Sequence, residues 1–369
     1  MKTTVPHLLI LPCLLSLALS CGRWQPVRGM YVVEDRIAGT EEITVPNLEG
    51  TDFYYLVAPP RWEAADFDRP MPDLLDRYVD GHRYERPKVV LRFIETAHAA
   101  GAKVLCSFPG EAFIDIAPDS LRRTRFARMA AAFARRYGYD GIELDWEQTV
   151  TPPLHIEMME ALRYALDSLA GPGRHPYLTT ALNSSHQYDA EQAARLSGAA
   201  DWINLMYYDM GGGIWGQTAT HNAPLDRIRE NFRTNWSQFD PARIHLGLAS
   251  YGYAYRGLAP GGTVEEGRTL RDYFAFDRYQ PLPGLLAEGW REEWDAAAQC
   301  PYFVAPGGDA FMTAENARSL RAKLRWARET GLGGIFWWEF HCDWVPPSEG
   351  EERGRHLVTD EADRLLKHL

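Results

Sequence analysis

Short apolar, β-rich runs alternate along the chain with longer stretches in which apolar residues recur every three or four positions. The runs are Gly29–Val33, Phe53–Ala58, Lys103–Ser107, Gly141–Trp146, Tyr177–Leu182, Trp202–Tyr207, His245–Ala249 and Gly334–Trp338. Between them, Lys88–Ala100, Ser120–Tyr137, Leu154–Ala170, Asp226–Trp236 and Thr313–Thr330 carry the helical period. Strands that alternate with helices are joined by crossovers and so lie parallel. Eight such runs in 369 residues predict an α/β fold of the closed (β/α)8 barrel type. An open, doubly wound sheet is the next reading, but no Gly-rich dinucleotide turn follows the first run. From Gly252 to Phe311 the rhythm breaks into Pro-Gly-Gly turns and aromatic residues, which predicts a small insertion at about 253–310, after the seventh strand.

The first twenty residues stand outside this pattern. Lys2, an apolar stretch from Leu8 to Leu19 and small residues before Cys21 have the layout of an export signal, and the stretch is too short to span a membrane. Ala18-Leu19-Ser20-Cys21 resembles a bacterial lipoprotein box. That resemblance implies a mature domain of residues 21–369, exported to the outer membrane or cell surface and held there only by a lipid on Cys21. An ordinary secretory signal with an incidental cysteine is the alternative.

Charge narrows the partners. A net charge of −11 excludes a general phosphate-binding field and with it a nucleic-acid partner. The twelve Trp, eighteen Tyr and fifteen Phe suit a sugar-stacking cleft as well as a core. Beyond Cys13 and Cys21, the remaining Cys106, Cys300 and Cys342 have no metal-like spacing. They read as buried or free thiols, with a Cys300–Cys342 disulfide as the alternative for an oxidising compartment. Neither a metal nor a cofactor is expected.

The chemistry concentrates in Ile142-Glu143-Leu144-Asp145-Trp146-Glu147. Alternate residues of a strand face opposite ways, so Ile142, Leu144 and Trp146 pack outward and Glu143, Asp145 and Glu147 share the lumen face. Neighbours on that face lie about 6.5 Å apart. Like charges that close in a poorly solvated lumen raise at least one carboxyl pKa, which is what a general acid needs. Glu147 is nearest the C-terminal strand ends, where barrel enzymes carry their sites. A solvated acidic strand and a hard-cation site are the competing readings.

Asp140-Gly-Ile-Glu-Leu-Asp-Trp-Glu147 resembles the fourth-strand signature Asp-Gly-x-Asp-x-Asp-x-Glu of glycoside hydrolase family 18, which comprises chitinases and endo-β-N-acetylglucosaminidases. Lys103-Val-Leu-Cys-Ser-Phe-Pro-Gly110, Met206-Tyr-Tyr-Asp209, Leu246-Gly-Leu-Ala-Ser-Tyr-Gly252 and Gly333-Gly-Ile-Phe-Trp-Trp338 resemble its third, sixth, seventh and eighth strand blocks. The resemblance implies a substrate-assisted, retaining glycosidase without an enzymic nucleophile. It makes Glu147 the acid, has Asp145 orient the substrate's acetamido group with Glu143 behind it, has Tyr208 bond the acetamido oxygen, and puts Asp209 at the loop edge. Trp338 becomes the floor, and Met206, Tyr31, Tyr251 and Ser107 complete the candidate sugar-binding set.

Two residues depart from the pattern. Glu143 replaces the family's first inner Asp, and Pro109 stands where Gly is usual, so the loop after strand three is expected to have its own shape. Loop tryptophans at the catalytic end, Trp62, Trp215, Trp290, Trp294 and Trp344, are candidate subsite platforms. The insertion resembles a shortened form of the small domain of many chitinases, which favours cleavage of β-1,4-linked N-acetylglucosamine polymers or oligomers by a monomer. Release of N-glycans is one alternative, and a catalytically inactive sugar-binding lipoprotein is the other.

Overall fold

The computed structural model describes residues 24–37, 42–60, 62–69, 86–110, 112–147 and 150–369; the stretch expected to be an export signal and Cys21 lie outside them. Eight strands close a parallel barrel: β1 (Val27–Val33), β2 (Phe53–Val57), β3 (Lys103–Pro109), β4 (Gly141–Asp145), β5 (Tyr177–Asn183), β6 (Trp202–Met206), β7 (Ile244–Ala249) and, after an insertion of five strands, β13 (Gly334–Trp338). β1 pairs with both β2 and β13, which closes the ring. Amphipathic helices including Arg86–Ala99, Ser120–Tyr137, Pro152–Leu169, Ala190–Ala199 and Ala317–Thr330 surround it. The expected α/β barrel is therefore the fold.

At the N-terminal end of the barrel, which we call the base, a device repeats. Asp52, Asp140 and Asp201 stand just before β2, β4 and β6, and each carboxylate accepts the backbone N–H of a residue in the strand before: Arg28 at 2.8 Å, Val104 at 2.9 Å and Leu178 at 2.8 Å. Charge-assisted bonds of this kind fix strand register more firmly than neutral ones. Asp140 is further gripped by His98 at 2.7 Å and Lys103 at 3.2 Å. The first carboxylate of the Asp140–Glu147 run thus clamps the base, while the last reaches the opposite end. Gly141 is required beside it, because a Cβ there would lie 2.0 Å from the carbonyl oxygen of Tyr177.

The insertion forms an antiparallel sheet of β8 (Tyr253–Arg256), β9 (Phe274–Phe276), β10 (Arg291–Asp295), β11 (Cys300–Val304) and β12 (Ala310–Thr313), in the order β10-β11-β12-β8-β9. Thr313 therefore ends a strand. The helix expected to begin there starts at Ala317, where Asn316 caps it by accepting the N–H of Ser319 at 2.9 Å. The stretch expected as one helix over Asp226–Trp236 is α-helical over Leu225–Asn231 and widens to a π-turn over Phe232–Trp236. The Cys300–Cys342 disulfide does not form. Both thiols are free and buried: Cys300 faces Lys323 Nζ at 3.4 Å, and Cys342 donates to Glu339 at 3.3 Å. Lys323 is itself buried in a 2.6 Å ion pair with Glu315 that ties the Ala317–Thr330 helix to the end of β12.

Asp140→Ala leaves the Val104 N–H and the His98 and Lys103 side chains without their shared acceptor, so we expect a loss of about 2–4 kcal/mol of stability, read as a lower urea midpoint at unchanged slope. Asp140→Asn, which keeps an acceptor, should lose less; equal midpoints for wild type and both variants would show that the clamp contributes nothing.

Candidate active site

Inside the barrel the alternation of β4 is realised. Ile142, Leu144 and Trp146 are buried against the surrounding helices and loops, with Trp146 beside Phe113 and His155. Glu143 and Asp145 face inward and are almost wholly shielded from water, at 0% and 4% exposure. Glu147, just past the strand end, opens to solvent on one side.

Glu143 sits deepest. Its Oε1 accepts hydrogen bonds from Tyr31 Oη at 2.7 Å, Asn204 Nδ2 at 2.7 Å and Thr179 Oγ1 at 3.4 Å. The donors are themselves aligned: Trp202 Nε1 donates to Tyr55 Oη at 2.9 Å, and Tyr55 Oη donates to Asn204 Oδ1 at 3.4 Å. Tyr31 stacks on Tyr55 with ring centroids 4.7 Å apart. Four strands thus feed one carboxylate oxygen through a continuous network. Burial nevertheless dominates and pushes the Glu143 carboxyl up to about 7, against the pull of Tyr31, Asn204, Ser107 and Thr179.

Asp145 rises well above the ordinary carboxyl range, first through burial, then through the charges of Glu147 and Glu143. Its Oδ1 accepts no hydrogen bond from the described residues. Burial, followed by the charge of Asp209, raises Glu147 too. Asp209 follows β6 in a left-handed conformation, φ 56°, and receives Tyr251 Oη at 2.5 Å and Tyr253 Oη at 2.9 Å. Its backbone N–H donates to Asn222 Oδ1 at 2.7 Å. Burial raises its carboxyl and the two tyrosines lower it again in part.

These groups surround a cavity of about 170 Å³ at the C-terminal end of the barrel, lined by Tyr31, Asp145, Glu147, Ala181, Asn183, Met206, Tyr208, Asp209 and Trp338. The Trp338 ring lies 5.3 Å from that of Tyr31 and is partly open. Gly247 makes room nearby, since a Cβ there would meet the Phe336 ring at 2.7 Å and Tyr208 at 3.0 Å. Among the described residues no cluster of His, Cys, Asp and Glu has the arrangement of a metal site.

Of the residues expected here, Glu147, Asp145, Tyr208, Asp209, Trp338, Met206 and Tyr31 do meet around one cavity. Glu143 and Ser107 lie beneath it at 0% exposure, paired in register across β3 and β4. Tyr251 supports Asp209 and does not line the cavity. Pro109 stays within β3, opposite Asp145, and the turn beyond it is closed by Gly110 N–H to the Asp145 carbonyl at 3.3 Å.

The tryptophans correct the expectation most. Trp62 packs among Phe67, Phe108, Phe126 and Phe133, with centroids 5.9 to 6.3 Å away. Trp344 packs on Phe340 and His356, Trp290 on the insertion's own core, and Trp294 lies under Arg318 at 3.8 Å. Only Trp215 among the five stands out from the surface, 64% exposed, with the Arg271 guanidinium 4.8 Å from its ring. Sequence reading passed over Asn183, Ala181 and Asn204. Their one signal is parity: Ala181 and Asn183 share the inward phase of β5 with Thr179, the register partner of Glu143.

Comparison with known proteins agrees with this geometry. The model of the glycosyl hydrolases family 18 matches residues 76–343. Chitinase A1 of Niallia circulans is 28% identical over 63% of this chain and 38% of its own length. Chitinase C of Streptomyces lividans is 28% identical over 72% of this chain and 46% of its own. The chain thus spans less than half of either relative. Among solved structures, a family 18 N-acetylglucosaminidase from Paenibacillus barengoltzii superposes with a TM-score of 0.70 at 20% identity, covering 94% of this chain and 100% of the other. A class V chitinase mutant from Cycas revoluta in complex with (GlcNAc)3 gives 0.66 at 19% identity, over 93% and 98%. At these identities the structures share the fold.

The raised Glu143 carboxyl makes stability depend on pH in a stated direction. Below about pH 4.5 folded and unfolded chains both hold its proton; as pH climbs toward about 7 the unfolded chain releases it first, so stability falls through that window. The penalty is on the order of 3 kcal/mol. Glu143→Gln is expected to flatten the fall, measured as urea midpoints from pH 4.5 to 8; parallel wild-type and variant profiles would refute it.

Proposed function

This chain belongs to the glycosyl hydrolases of family 18, and from that premise we propose that it hydrolyses β-1,4-linked N-acetylglucosamine chains by a substrate-assisted, retaining mechanism. The observation that carries the reading is the gradient along β4: a fully buried carboxyl at Glu143, a shielded one at Asp145 and a solvent-reaching one at Glu147, all raised in pKa.

Glu147 holds a proton at the cavity mouth, where it meets the leaving glycosidic oxygen as general acid. Asp145 offers Oδ1 to the N–H of an acetamido group in the cavity, and the bond turns that group's carbonyl oxygen toward the anomeric carbon. Tyr208 stays a phenol, because burial and the charge of Asp145 oppose its ionisation, and so donates to that oxygen. As the acetamido group attacks, the proton of Asp145 passes to an ionised Glu143, which leaves Asp145 anionic beside the cationic intermediate and Glu143 neutral, with Tyr31 and Asn204 bonded to the Glu143 carboxyl. Once the leaving group has gone, Glu147 acts as base toward the water that opens the intermediate. Trp338 supplies the apolar face under the sugar.

Packing of four of the five loop tryptophans away from the cavity supports short, soluble oligomers as preferred substrates over the crystalline polymer, which needs a run of exposed platforms. We propose also that the chain is exported, acts as a monomer and is held at the cell envelope by a lipid on Cys21, on the strength of the Ala18–Cys21 box.

Glu147→Gln should lower kcat on chitooligosaccharides by at least about a hundredfold while oligomer binding by calorimetry stays within a few-fold. Equal turnover by mutant and wild type would remove Glu147 from its role. Cleavage of high-mannose glycopeptides in place of chitooligosaccharides would move the substrate to N-glycans, and binding without cleavage of either would leave a lectin.

A further inference from the structure

In a parallel barrel every strand begins on one face, so the base is a single surface, and the described chain starts on it. Trp24 is tied there by its Nε1, which donates to the Leu332 carbonyl at 2.9 Å, and Val27 N–H donates to Gly333 O at 3.0 Å. Cys21 is three residues upstream, a reach of about 10 Å at full extension. A lipid on Cys21 would therefore hold the base itself at the bilayer. The seven residues of β1 set the cavity roughly 20 Å beyond, facing away from the membrane.

The same face carries an open groove of about 450 Å³ between the C-terminal ends of the helices Ser120–Tyr137 and Pro152–Leu169. Its rim carries the cations Lys103, Arg135 and Arg174, with His175 beside them, above an apolar wall that includes Leu166 and Leu169. Lys103 and His175 are engaged by Asp140 and Asp201. Asp140, the groove's acidic residue, is taken up by His98, Lys103 and the Val104 N–H. Arg135 and Arg174 are exposed and form no ion pair among the described residues; Arg135 makes one long bond, 3.4 Å, to the Leu169 carbonyl. In a chain of net charge −11, two uncommitted guanidiniums at the mouth of an amphipathic groove on the anchor face are a local inversion of sign. Guanidinium binds phosphate through paired N–H donors, and each basic side chain near an anionic bilayer adds a comparable increment of affinity.

We propose that the base of the barrel is a membrane-docking surface, with Arg135 and Arg174 seating the phosphate headgroups of anionic lipid at the groove and the cleft held outward. The orientation rests on the lipid at Cys21 proposed above; the headgroup site is a property of the folded barrel and is tested apart from it. Docking turns a tether that would let the barrel tumble into a fixed presentation of the cleft to sugar chains arriving from outside.

The test uses the full chain, acylated in a bacterial host, with the Cys21 peptide checked by mass. Hydrogen exchange is compared on vesicles of equal parts phosphatidylcholine and phosphatidylglycerol, on phosphatidylcholine alone, and in detergent. On the anionic vesicles the segments 135–141 and 170–177 should gain at least about tenfold protection, while 209–216 at the cleft does not change. Arg135→Gln/Arg174→Gln should lose that protection while remaining acylated and membrane-bound, with its solution turnover unchanged. Absence of protection on bound, acylated protein, protection at 209–216 instead, or the same protection from inorganic phosphate or protein concentration without vesicles would each overturn the proposal. If Cys21 carries no lipid, only the anchor reading fails; flotation of the unacylated chain with anionic vesicles then decides the headgroup site, binding lost in the double variant supporting it and no binding overturning it.

Discussion

The constraint on which the rest of this structure turns is the cost of placing three carboxyl groups along one face of a strand inside a closed barrel. In water such neighbours repel weakly; in a lumen sealed by aromatic rings they cannot all ionise. The fold answers by grading solvation along β4. Glu143 receives three protein donors, Asp145 receives none on Oδ1, and Glu147 meets solvent. The proton is stabilised in the lumen because the surroundings compensate charge incompletely, and the reserve of unpaired acceptor capacity sits where an amide could fill it.

That grading depends on residues far apart in sequence. Trp202, Tyr55, Asn204 and Tyr31 come from β6, β2 and β1; Asn204 and Tyr31 donate to one oxygen of Glu143, and Trp202 reaches it through Tyr55 and Asn204. Convergence requires exact register, and register is held at the other end by Asp52, Asp140 and Asp201, each bonded to the strand before its own. One short run therefore reaches both ends: Asp140 locks the barrel's base, and Glu147 stands at the cavity on its top.

The eight strands and the inward acid face were legible because both are matters of local period, and the Glu147, Tyr208 and Trp338 cluster because each stands at or just past the C-terminal end of a strand. What was not legible depends on the third dimension. Trp62 and Trp215 are both loop tryptophans by sequence, but the first meets four phenylalanines supplied by β3 and by segments on either side of it, and the second stands exposed with the Arg271 guanidinium over its ring. Asn204 reads as a polar blemish in Trp202–Met206 until Glu143 is found opposite it across the lumen. Thr313 carries no mark that separates the last residue of a strand from the start of a helix; the Asn316 cap three residues later does. Cys300 and Cys342 are the buried, free thiols of the first reading, but nothing in their spacing marked the charged group that each is buried beside on a different element, Lys323 or Glu339.

The insertion is bound into the site by the same economy of charge. Tyr251 precedes β8 and Tyr253 opens it, and both donate to one oxygen of Asp209, whose charge in turn helps raise Glu147. Asp209 is held in a left-handed turn, uncommon outside Gly, by two phenols and the Asn222 amide oxygen. The added sheet is thus more than a wall beside the cleft. By ordering the loop after β6 it sets where a negative charge stands relative to the acid at the cavity mouth, so the insertion shapes the site's electrostatics as well as its outline.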